Sequence, residues 1–512
     1  MNYSKEIIEF HRYTPGCPED PELGRLVERY SNFITKLEKD PTKHSGGPAR
    51  LKVDLAWLVL LRQAGLLTAD NAAVLLRANR ALQSNKLAAV QTRSHGFAER
   101  SLIAAVGGDE DLGSIVNLGR TLQEPMSRID LRDKMLEVFD ELLALQDAVL
   151  QVAAGNIDTI MPGYTHLSQA QPITLAHYLL SVFDGLARGY DQLSLAYRDT
   201  NRNSGGCGAC SGITWPIDRW EMTRLLGFDD LVEPTYDSES AQDHSLSILF
   251  ALTNITLLLS KVTMDWNIWG MEEVGMIEVD PAWCGVSSMM PQKCIPGSQL
   301  ERARLEASYV VGQMMAGVSF CKGEPHADML PMLEVPKVAI VAMARSLLCM
   351  GYFRGILTHM EPQREAMLGY VRAGFSCASE VAAHLVKEGG YGTRRAHRIV
   401  ATMVRLARER RLKAFETTGE LLDEAAEFAG ERKPGLDTQT LRRLLDPEHF
   451  VRTHINTGGV APAEAKRMLE ARSARLEQAR AGQAQRHQKI HDADAYLDAA
   501  IERIFAEVEK TA

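Results

Sequence analysis

The segment from Gly285 to Pro296 combines side chains that could do chemistry with a backbone too rich in proline, glycine and polar residues to be a helix. It holds two adjacent serines, Ser287 and Ser288, and a lysine, Lys293, shortly before a proline of the kind that opens a helix. A serine hydroxyl titrates far above neutral pH, so it is a poor base unless its alkoxide is stabilised. Backbone N–H groups near a helix N-terminus and the lysine ammonium would supply that stabilisation. We therefore predict a functional loop held between rigid elements.

A second pair with chemical potential, Thr165 and His166, lies in the run from Met161 to Pro172. Histidine is the side chain that most readily exchanges a proton near neutral pH. Eliminating a group next to a carboxylate needs a base, an acid for the leaving group, and cationic or hydrogen-bonding groups for the charge that develops on the carboxylate. The two segments together contain those residue types.

Helical patterns dominate the elements that must position these segments. Apolar residues recur at three- and four-residue steps, and strand-like alternation is scarce. We predict an all-α chain of three helical regions with a long central helix bundle. The long predicted helices run from Leu131 to Ala154, from Pro172 to about Arg198, from a start near Ser238–Asp243 to about Gly270, from Pro296 to about Gly317, and from Pro336 to Leu357.

The third of these helices is apolar on more than one face between Leu246 and Trp269. A helix that is apolar all round must be buried, and at 1.5 Å per residue this one is roughly 45 Å long. One chain of this size rarely surrounds such a rod. Association between subunits is therefore predicted from this segment alone.

The composition excludes several classes of function. The net charge is −9, from 57 Lys and Arg against 66 Asp and Glu, so there is no broad cationic field for nucleic acid or anionic lipid. The N-terminus lacks the apolar core of a signal peptide, and charged residues interrupt the most apolar runs, so no membrane span is predicted. Eight scattered cysteines suit reduced thiols in the cytoplasm. The pair Cys207 and Cys210 lies in a glycine-rich run and is interpreted as small-residue packing.

The 512 residues allow two or three domains. We predict an N-terminal helical domain over 1–118, a long-helix domain over 119–365 and a C-terminal helical domain over 366–512. The last domain has shorter helices, more Arg and Glu, and glycine pairs between its elements, and residues 464–512 are predicted to form an exposed helix.

Five separated segments resemble, in order, the argininosuccinate lyase branch of the aspartase/fumarase superfamily. The loop described first resembles the signature G-S-S-x-M-P-x-K-x-N, and Met161–Pro172 resembles M-P-G-Y-T-H-L-Q-x-A-Q-P. The other matching segments are Ser94–Glu99 with Asn117–Thr121, Thr214–Arg219 with Leu225–Phe228, and Glu380–Val386 with Arg395–Val400 and Asn456–Pro462.

The resemblance implies a role for each matched residue. Ser287 would be the base, Lys293 would hold the carboxylate beside the carbon that loses its proton, and His166 would be the acid or its relay. Glu301 matches the carboxylate that orients this histidine. The substrate-binding positions implied by the resemblance, or adjacent to it, are Thr165, Arg120, Thr121, Gln123, Ser288 and His95, the last of which could instead be a structural hydrogen-bonding residue.

The resemblance also implies an assembly and a reaction. It implies a homotetramer around a bundle of about twenty helices, active sites shared between subunits, a small carboxylate substrate, and no metal or organic cofactor. The expected reaction is lyase chemistry that leaves an unsaturated acid such as fumarate. A cycloisomerase-type reaction and a catalytically silent structural or binding tetramer stay open as alternatives.

Several substrate-contact positions depart from the family pattern. Ile295 replaces an asparagine, Leu122 an arginine and Gln123 an asparagine, while Gly323–Asp328 replaces the segment that holds the amino-acid end of argininosuccinate. Polar ligand atoms left unpaired cost roughly 1–3 kcal/mol each. We therefore predict a substrate other than argininosuccinate, with a smaller or more apolar leaving group.

Overall fold

A computed structural model describes residues 28–32, 34–35, 47–84, 96–121, 125–280, 283–287, 289–290, 294–295, 297–327 and 329–511. Within these residues the chain is helical nearly throughout, and its strands form four two-stranded pairings. The all-α prediction is confirmed.

The N-terminal part is a small helical layer built on an apolar helix. Its elements are α1 (Gly47–Gln63), α2 (Ala69–Ser84), α3 (Gly96–Ala105), α4 (Glu110–Gly113) and a 3-10 turn at Ser114–Asn117. Trp57 and its neighbours along α1 are fully buried, and they share a core with Leu225 and Leu226 from the middle of the chain and Ile501 from its end.

The middle of the chain is a bundle of five long helices with two short ones between them. The long helices bury one continuous apolar core that includes Phe139, Phe183, Trp266 and Phe353. The elements are α5 (Met126–Ala154), α6 (Leu175–Thr200), α7 (Arg219–Leu226), α8 (Thr235–Ser240), α9 (Asp243–Trp269), α10 (Gly297–Cys321) and α11 (Met329–His359).

Three predicted helix starts are wrong. α5 begins at Met126, before the predicted Leu131, and proline is the reason for the other two. Pro172 lies in an antiparallel strand pair, β1 (Ile160–Thr165) with β2 (Ser168–Thr174), where it faces Pro162. A two-stranded ribbon tolerates a residue without an N–H donor, so α6 begins only after Thr174, whose Oγ accepts from the N–H of His177 at 3.2 Å. Pro336 lies inside α11 rather than at its start, where it removes one hydrogen bond without ending the helix.

The remaining strands are very short. β3 (Arg202–Asn203) pairs in parallel with β4 (Asp230–Leu231). Two pairings are antiparallel: β5 (Ile277–Val279) with β8 (Met360–Pro362), and β6 (Gly285–Val286) with β7 (Cys294–Ile295). Cys207 is buried and its Sγ donates to Oε1 of Glu239 at 2.9 Å. The packing role of Cys207 and Cys210 stays a prediction.

α9 is buried on most of its circumference but keeps an apolar stripe. By length and composition it is the one helix in the described ranges that could cross a membrane, yet 56% of that apolar window is buried, as in the core helix of a bundle. Phe250, Leu257 and Met264 are exposed by 52%, 42% and 47%. Their seven-residue spacing places them on one face.

The C-terminal part has its own core and then a return helix. Its elements are α12 (Arg364–Ala373), α13 (Ala378–Lys387), α14 (Thr393–Glu409), α15 (Gly419–Phe428), α16 (Thr438–Leu444), α17 (Pro447–Thr453) and α18 (Pro462–Thr511). The predicted helix over 464–512 is therefore present, but it is not simply exposed. Leu476 packs into the central core and Ile501 into the N-terminal core. The domain division at 118 and 365 stays a prediction.

Candidate active site

Thr165 and His166 lie at an exposed hairpin tip. Thr165 pairs with Ser168 across β1 and β2, so His166 and Leu167 form the two-residue turn, with φ of 53° and 56°. Such a turn needs two residues in the left-handed region, which glycine and asparagine enter most easily. The chain holds two bulky residues there, and Leu167 is 79% exposed. The hairpin presents His166 outward from the end of the bundle where α5 stops and α6 starts.

Ser287 is held by its own main chain. The loop is closed at its base by the two-residue pairing of β6 with β7. Inside it, the N–H groups of Met289 and Met290 donate to Oγ of Ser287 at 3.3 and 3.0 Å. Two N–H donors on a hydroxyl oxygen favour its deprotonated form. Ser287 is half-buried, and its role as the base stays a prediction.

Glu301 lies in the second turn of α10, exposed, at the same end of the bundle as the loop. In the described part of one chain it makes no hydrogen bond or ion pair with His166. Lys293, Ser288, Gln123 and His95, which were predicted from the sequence, lie outside the described residues.

Arg120 sits at the other end, in a buried network. Its side chain is 3% exposed, its Nη1 donates to Oδ1 of Asp54 at 2.5 Å, and its guanidinium carbon lies 5.8 Å from the centre of the Trp57 ring. Arg50 donates to Asp54 through Nε and to Oδ1 of Asn117 through Nη2. Nδ2 of Asn117 in turn donates to Glu99. Nη2 of Arg120 is buried and has no partner among the described residues. Within one protomer Arg120 is thus a structural ion pair that fixes the path into Thr121, which is half-exposed.

The predicted residues therefore form two groups at opposite ends of the bundle. One group lies where α5 and α9 end and where α6 and α10 start, and it consists of Thr165, His166, Ser287 and Glu301. The other group, Arg120 and Thr121, precedes the start of α5. α5 has 29 residues, so about 40 Å of helix separates the two groups. One chain cannot bring them to one substrate.

A cavity of about 540 Å³ lies behind the hairpin, and the sequence did not indicate it. Tyr164, Thr165 and Leu167 line one side, and Tyr178 and Asp265 lie on the other. Oη of Tyr178 donates to Oδ2 of Asp265 at 2.6 Å, and burial together with that carboxylate raises the pKa of the tyrosine. The sequence feature that could have indicated this site is Asp265, an acidic residue within an apolar stretch of helix, because a buried acid needs a hydrogen-bond partner.

Comparisons with known proteins agree with the motifs. The family model described as Lyase matches residues 60–312, and the one described as Argininosuccinate lyase C-terminal matches residues 375–452. The argininosuccinate lyase of Methanothrix thermoacetophila is 30% identical over 497 residues, which are 96% of this chain and 98% of that protein.

Two solved structures share nearly the whole fold. An EDDS lyase variant with bound fumarate has a TM-score of 0.87 at 26% identity and covers 96% of this chain and 97% of its own. EDDS lyase in complex with formate has a TM-score of 0.86 at 25% identity, with 98% of both chains covered. Full-length similarity, the ordered motifs and the main-chain cradle around Ser287 lead to one assignment. The chain belongs to the argininosuccinate lyase branch of the aspartase/fumarase superfamily and is a carbon–nitrogen lyase.

Proposed function

We propose that this lyase cleaves the C–N bond of an N-substituted aspartate and releases fumarate and an amine. The observation that carries the proposal is the pair of N–H groups on Oγ of Ser287, at 3.3 and 3.0 Å. The EDDS lyase variant, whose structure superposes over 96% of this chain, holds fumarate. The family relatives include enzymes named for argininosuccinate.

The proposed reaction is an elimination whose atoms and electrons balance within the substrate. The Ser287 alkoxide takes the proton from the carbon next to the distal carboxylate. The electrons of that C–H bond form the double bond of fumarate, the C–N electrons go to nitrogen, and His166 gives the leaving amine a proton or relays one to it. Lys293 neutralises the charge that develops on the carboxylate, and Glu301 orients the histidine of another subunit.

The substrate-binding roles of Thr165, Ser288, Thr121, Gln123 and His95 are part of the same proposal. For Arg120 the proposal is narrower, because its Nη1 is committed to Asp54. Its Nη2, which is buried without a partner in the described part of the chain, is the group that we assign to a substrate carboxylate.

We further propose a cytoplasmic homotetramer with active sites shared between subunits. Two facts support it. The two groups of site residues lie about 40 Å apart along α5, and Phe250, Leu257 and Met264 leave an apolar stripe on α9. Antiparallel packing of α9 helices from different subunits would cover the stripe and bring opposite ends of two bundles together.

The proposed substrate differs from argininosuccinate. Leu122 and Ile295 replace hydrogen-bonding residues, and Gly323–Asp328 replaces a polar segment. A guanidino-succinate would leave polar atoms unpaired against such positions. We expect argininosuccinate turnover with kcat/KM below about 10⁴ M⁻¹s⁻¹, the lower end of the usual enzyme range.

The test runs the reaction in the addition direction. Fumarate is incubated with a panel of amines, and mass spectrometry identifies the N-substituted aspartate that forms. Ser287→Ala should lower the rate by about 10²- to 10⁴-fold, as loss of a general base does, with the melting temperature and the oligomer unchanged. Near-wild-type rates in that variant would show that Ser287 is not the base. A reaction that converts one substrate into one product, without release of an amine, would instead favour the cycloisomerase alternative.

A further inference from the structure

The cavity behind the β1–β2 hairpin has the size of a small-molecule site. Its volume is about 540 Å³, and ligand sites in proteins usually span about 300–1,000 Å³. The hairpin, α6 and the end of α9 with the turn that follows it surround the cavity. Most of the lining is apolar and includes Met161, Pro162, Ile173, Ile268 and Val274. An occupant of this cavity therefore needs an apolar body.

Asp265 is the one charged side chain among the described residues that line the cavity. It is half-buried, and its Oδ2 accepts from Oη of Tyr178 at 2.6 Å. Its Oδ1 makes no hydrogen bond or ion pair within the described ranges. Burial and this carboxylate raise the pKa of Tyr178, so the phenol keeps its proton and the negative charge stays on Asp265. A half-buried carboxylate without a cationic partner favours a positively charged occupant.

Aromatic rings form the wall of the cavity beside Asp265. The rings of Tyr178 and Trp269 meet edge to face, with their centroids 4.9 Å apart, and both residues line the cavity. An aromatic ring of a ligand can extend such a pair, and the faces of aromatic rings attract cations. An amine with an aromatic body matches both the charge and the rings, whereas an anion would lie beside a carboxylate of the same sign.

The hairpin contributes exposed apolar surface to the same cavity. Leu167 and Tyr164 line it, although their side chains are 79% and 39% exposed. A ligand in the cavity would cover part of that surface and remove it from water, which favours binding. His166 is not among the described residues that line the cavity, whereas its neighbours Thr165 and Leu167 are. An occupant would therefore contact the hairpin without taking the place of the proposed acid.

We propose that this cavity is an accessory binding site for a primary amine with an aromatic body. The ammonium group pairs with Asp265, and the ring packs against Tyr178 and Trp269. The proposal goes beyond the elimination reaction and would stand if Ser287 were not the base.

The experiment measures binding rather than turnover. The full chain is titrated with 2-phenylethylammonium chloride, and binding is followed by ligand-observed NMR. Two further probes keep the ring and change the charge, since 2-phenylethanol is neutral and 3-phenylpropanoate is an anion. Ethylammonium keeps the charge and lacks the ring. The wild type should bind 2-phenylethylammonium about tenfold or more tightly than each of the other three probes.

Asp265→Asn removes the charge and keeps the shape of the side chain, with an oxygen that can accept from Tyr178. It should bind 2-phenylethylammonium about tenfold more weakly and 2-phenylethanol as the wild type does, which also shows that the cavity is intact. The matched control is Glu273→Gln, which removes an exposed carboxylate next to the lining residue Val274. Because solvent screens that charge, the control should keep the wild-type affinity within about twofold.

Ala170→Phe tests the location of the bound amine. Ala170 lies in β2 and lines the cavity, and a phenyl ring there would fill part of the space. Aromatic residues suit a strand, so the hairpin should still form. This variant should lose binding of both 2-phenylethylammonium and 2-phenylethanol.

Three results would overturn the proposal. The first is no binding of 2-phenylethylammonium to the wild type, as when another subunit fills the cavity. The second is equal affinity for the cation and the anion. The third is wild-type affinity for the cation in Asp265→Asn or in Ala170→Phe. Because no turnover is measured, a failure of the Ser287 proposal leaves each of these results readable.

Discussion

At the residue scale, main-chain groups decide the chemistry proposed for Ser287. The N–H groups of Met289 and Met290 converge on its oxygen, and they do so whatever side chains those two residues carry. The same cradle would stabilise any anion formed at this position. A side chain with a lower pKa than serine is therefore expected to act as a base in its place.

Ser287→Cys tests this directly. A cysteine thiol titrates near 8.5 in model peptides, and the two N–H groups should lower that pKa. We expect activity above that of Ser287→Ala, rising with pH to a plateau below pH 8.5. The measurement is kcat/KM against pH for both variants. A Ser287→Cys profile as flat and low as that of Ser287→Ala would contradict the assignment.

His244 should make stability depend on pH. Its pKa in the folded chain lies well below the usual value because of burial and Arg128, so the unfolded chain binds the extra proton first as pH falls. Above about pH 6.5, the pKa of histidine in the unfolded chain, His244 does not change the free energy of unfolding. Below that pH the free energy of unfolding declines by up to about 1.4 kcal/mol per pH unit. Urea unfolding at pH 7.5, 6.5 and 5.5 measures the slope, which His244→Phe should reduce. An unchanged slope would show that His244 is protonated in the fold.

At the element scale, the β1–β2 hairpin combines a strained turn with a proposed catalytic residue. His166 and Leu167 both have positive φ, which costs roughly 1–2 kcal/mol for each residue that has a Cβ. The short pairing of β1 with β2 and the packing of Met161 in the core hold the turn in this form. Strain of this kind persists where the position of a side chain matters.

Leu167→Gly should relieve that strain. We expect the free energy of unfolding to rise by about 1 kcal/mol, measured by urea denaturation. We also expect kcat to fall because the more flexible turn holds His166 less firmly. Leu195→Gly, within the last two turns of α6, is the control of opposite sign and should destabilise the chain by roughly 1 kcal/mol. A Leu167→Gly variant that is destabilised would argue that Leu167 contributes through contacts with another subunit.

The apolar stripe on α9 is the element that predicts assembly. Leu257→Glu places a charge on a face that the proposed tetramer buries, and an unpaired buried charge is strongly unfavourable. Light scattering at micromolar concentration should show dimers or monomers, with activity lost. Phe428→Glu, at a residue 67% exposed in the C-terminal part, should leave the tetramer intact. A wild-type chain that is a stable monomer would contradict the assembly altogether.

At the scale of the whole molecule, the active site is proposed to combine chains. The residues near the start of α5 and those near its end cannot meet within one protomer, because α5 is rigid and 29 residues long. Two inactive variants with changes at opposite ends should therefore rescue each other when their chains mix.

The pair is Ser287→Ala and Thr121→Val. Each alone should be nearly inactive. After joint refolding, random assembly should restore about a quarter of wild-type activity, because one site in four takes both intact residues from different chains of a symmetric oligomer. A mixture as inactive as its components would show that each site is built from a single chain.

The sequence by itself determined the helical class, the long helices and the loop around Ser287. Helical periodicity and an ordered set of motifs are local properties, so they are readable along the chain. The end of α5 at Ala154 followed from apolar spacing, although the helix starts at Met126 and not at the predicted Leu131. Pro172 and Pro336 misled because a proline is also tolerated in a short ribbon or within a long helix.

Only the tertiary structure decided which polar groups have partners. Arg120 is paired with Asp54, 66 residues earlier in the chain, and His244 has no hydrogen-bond partner among the described residues although it is buried beside Arg128. The tertiary structure also placed the two groups of site residues at opposite ends of the bundle. Partners and separations of this kind depend on how distant segments pack, because a side chain's surroundings are set by residues far from it in sequence.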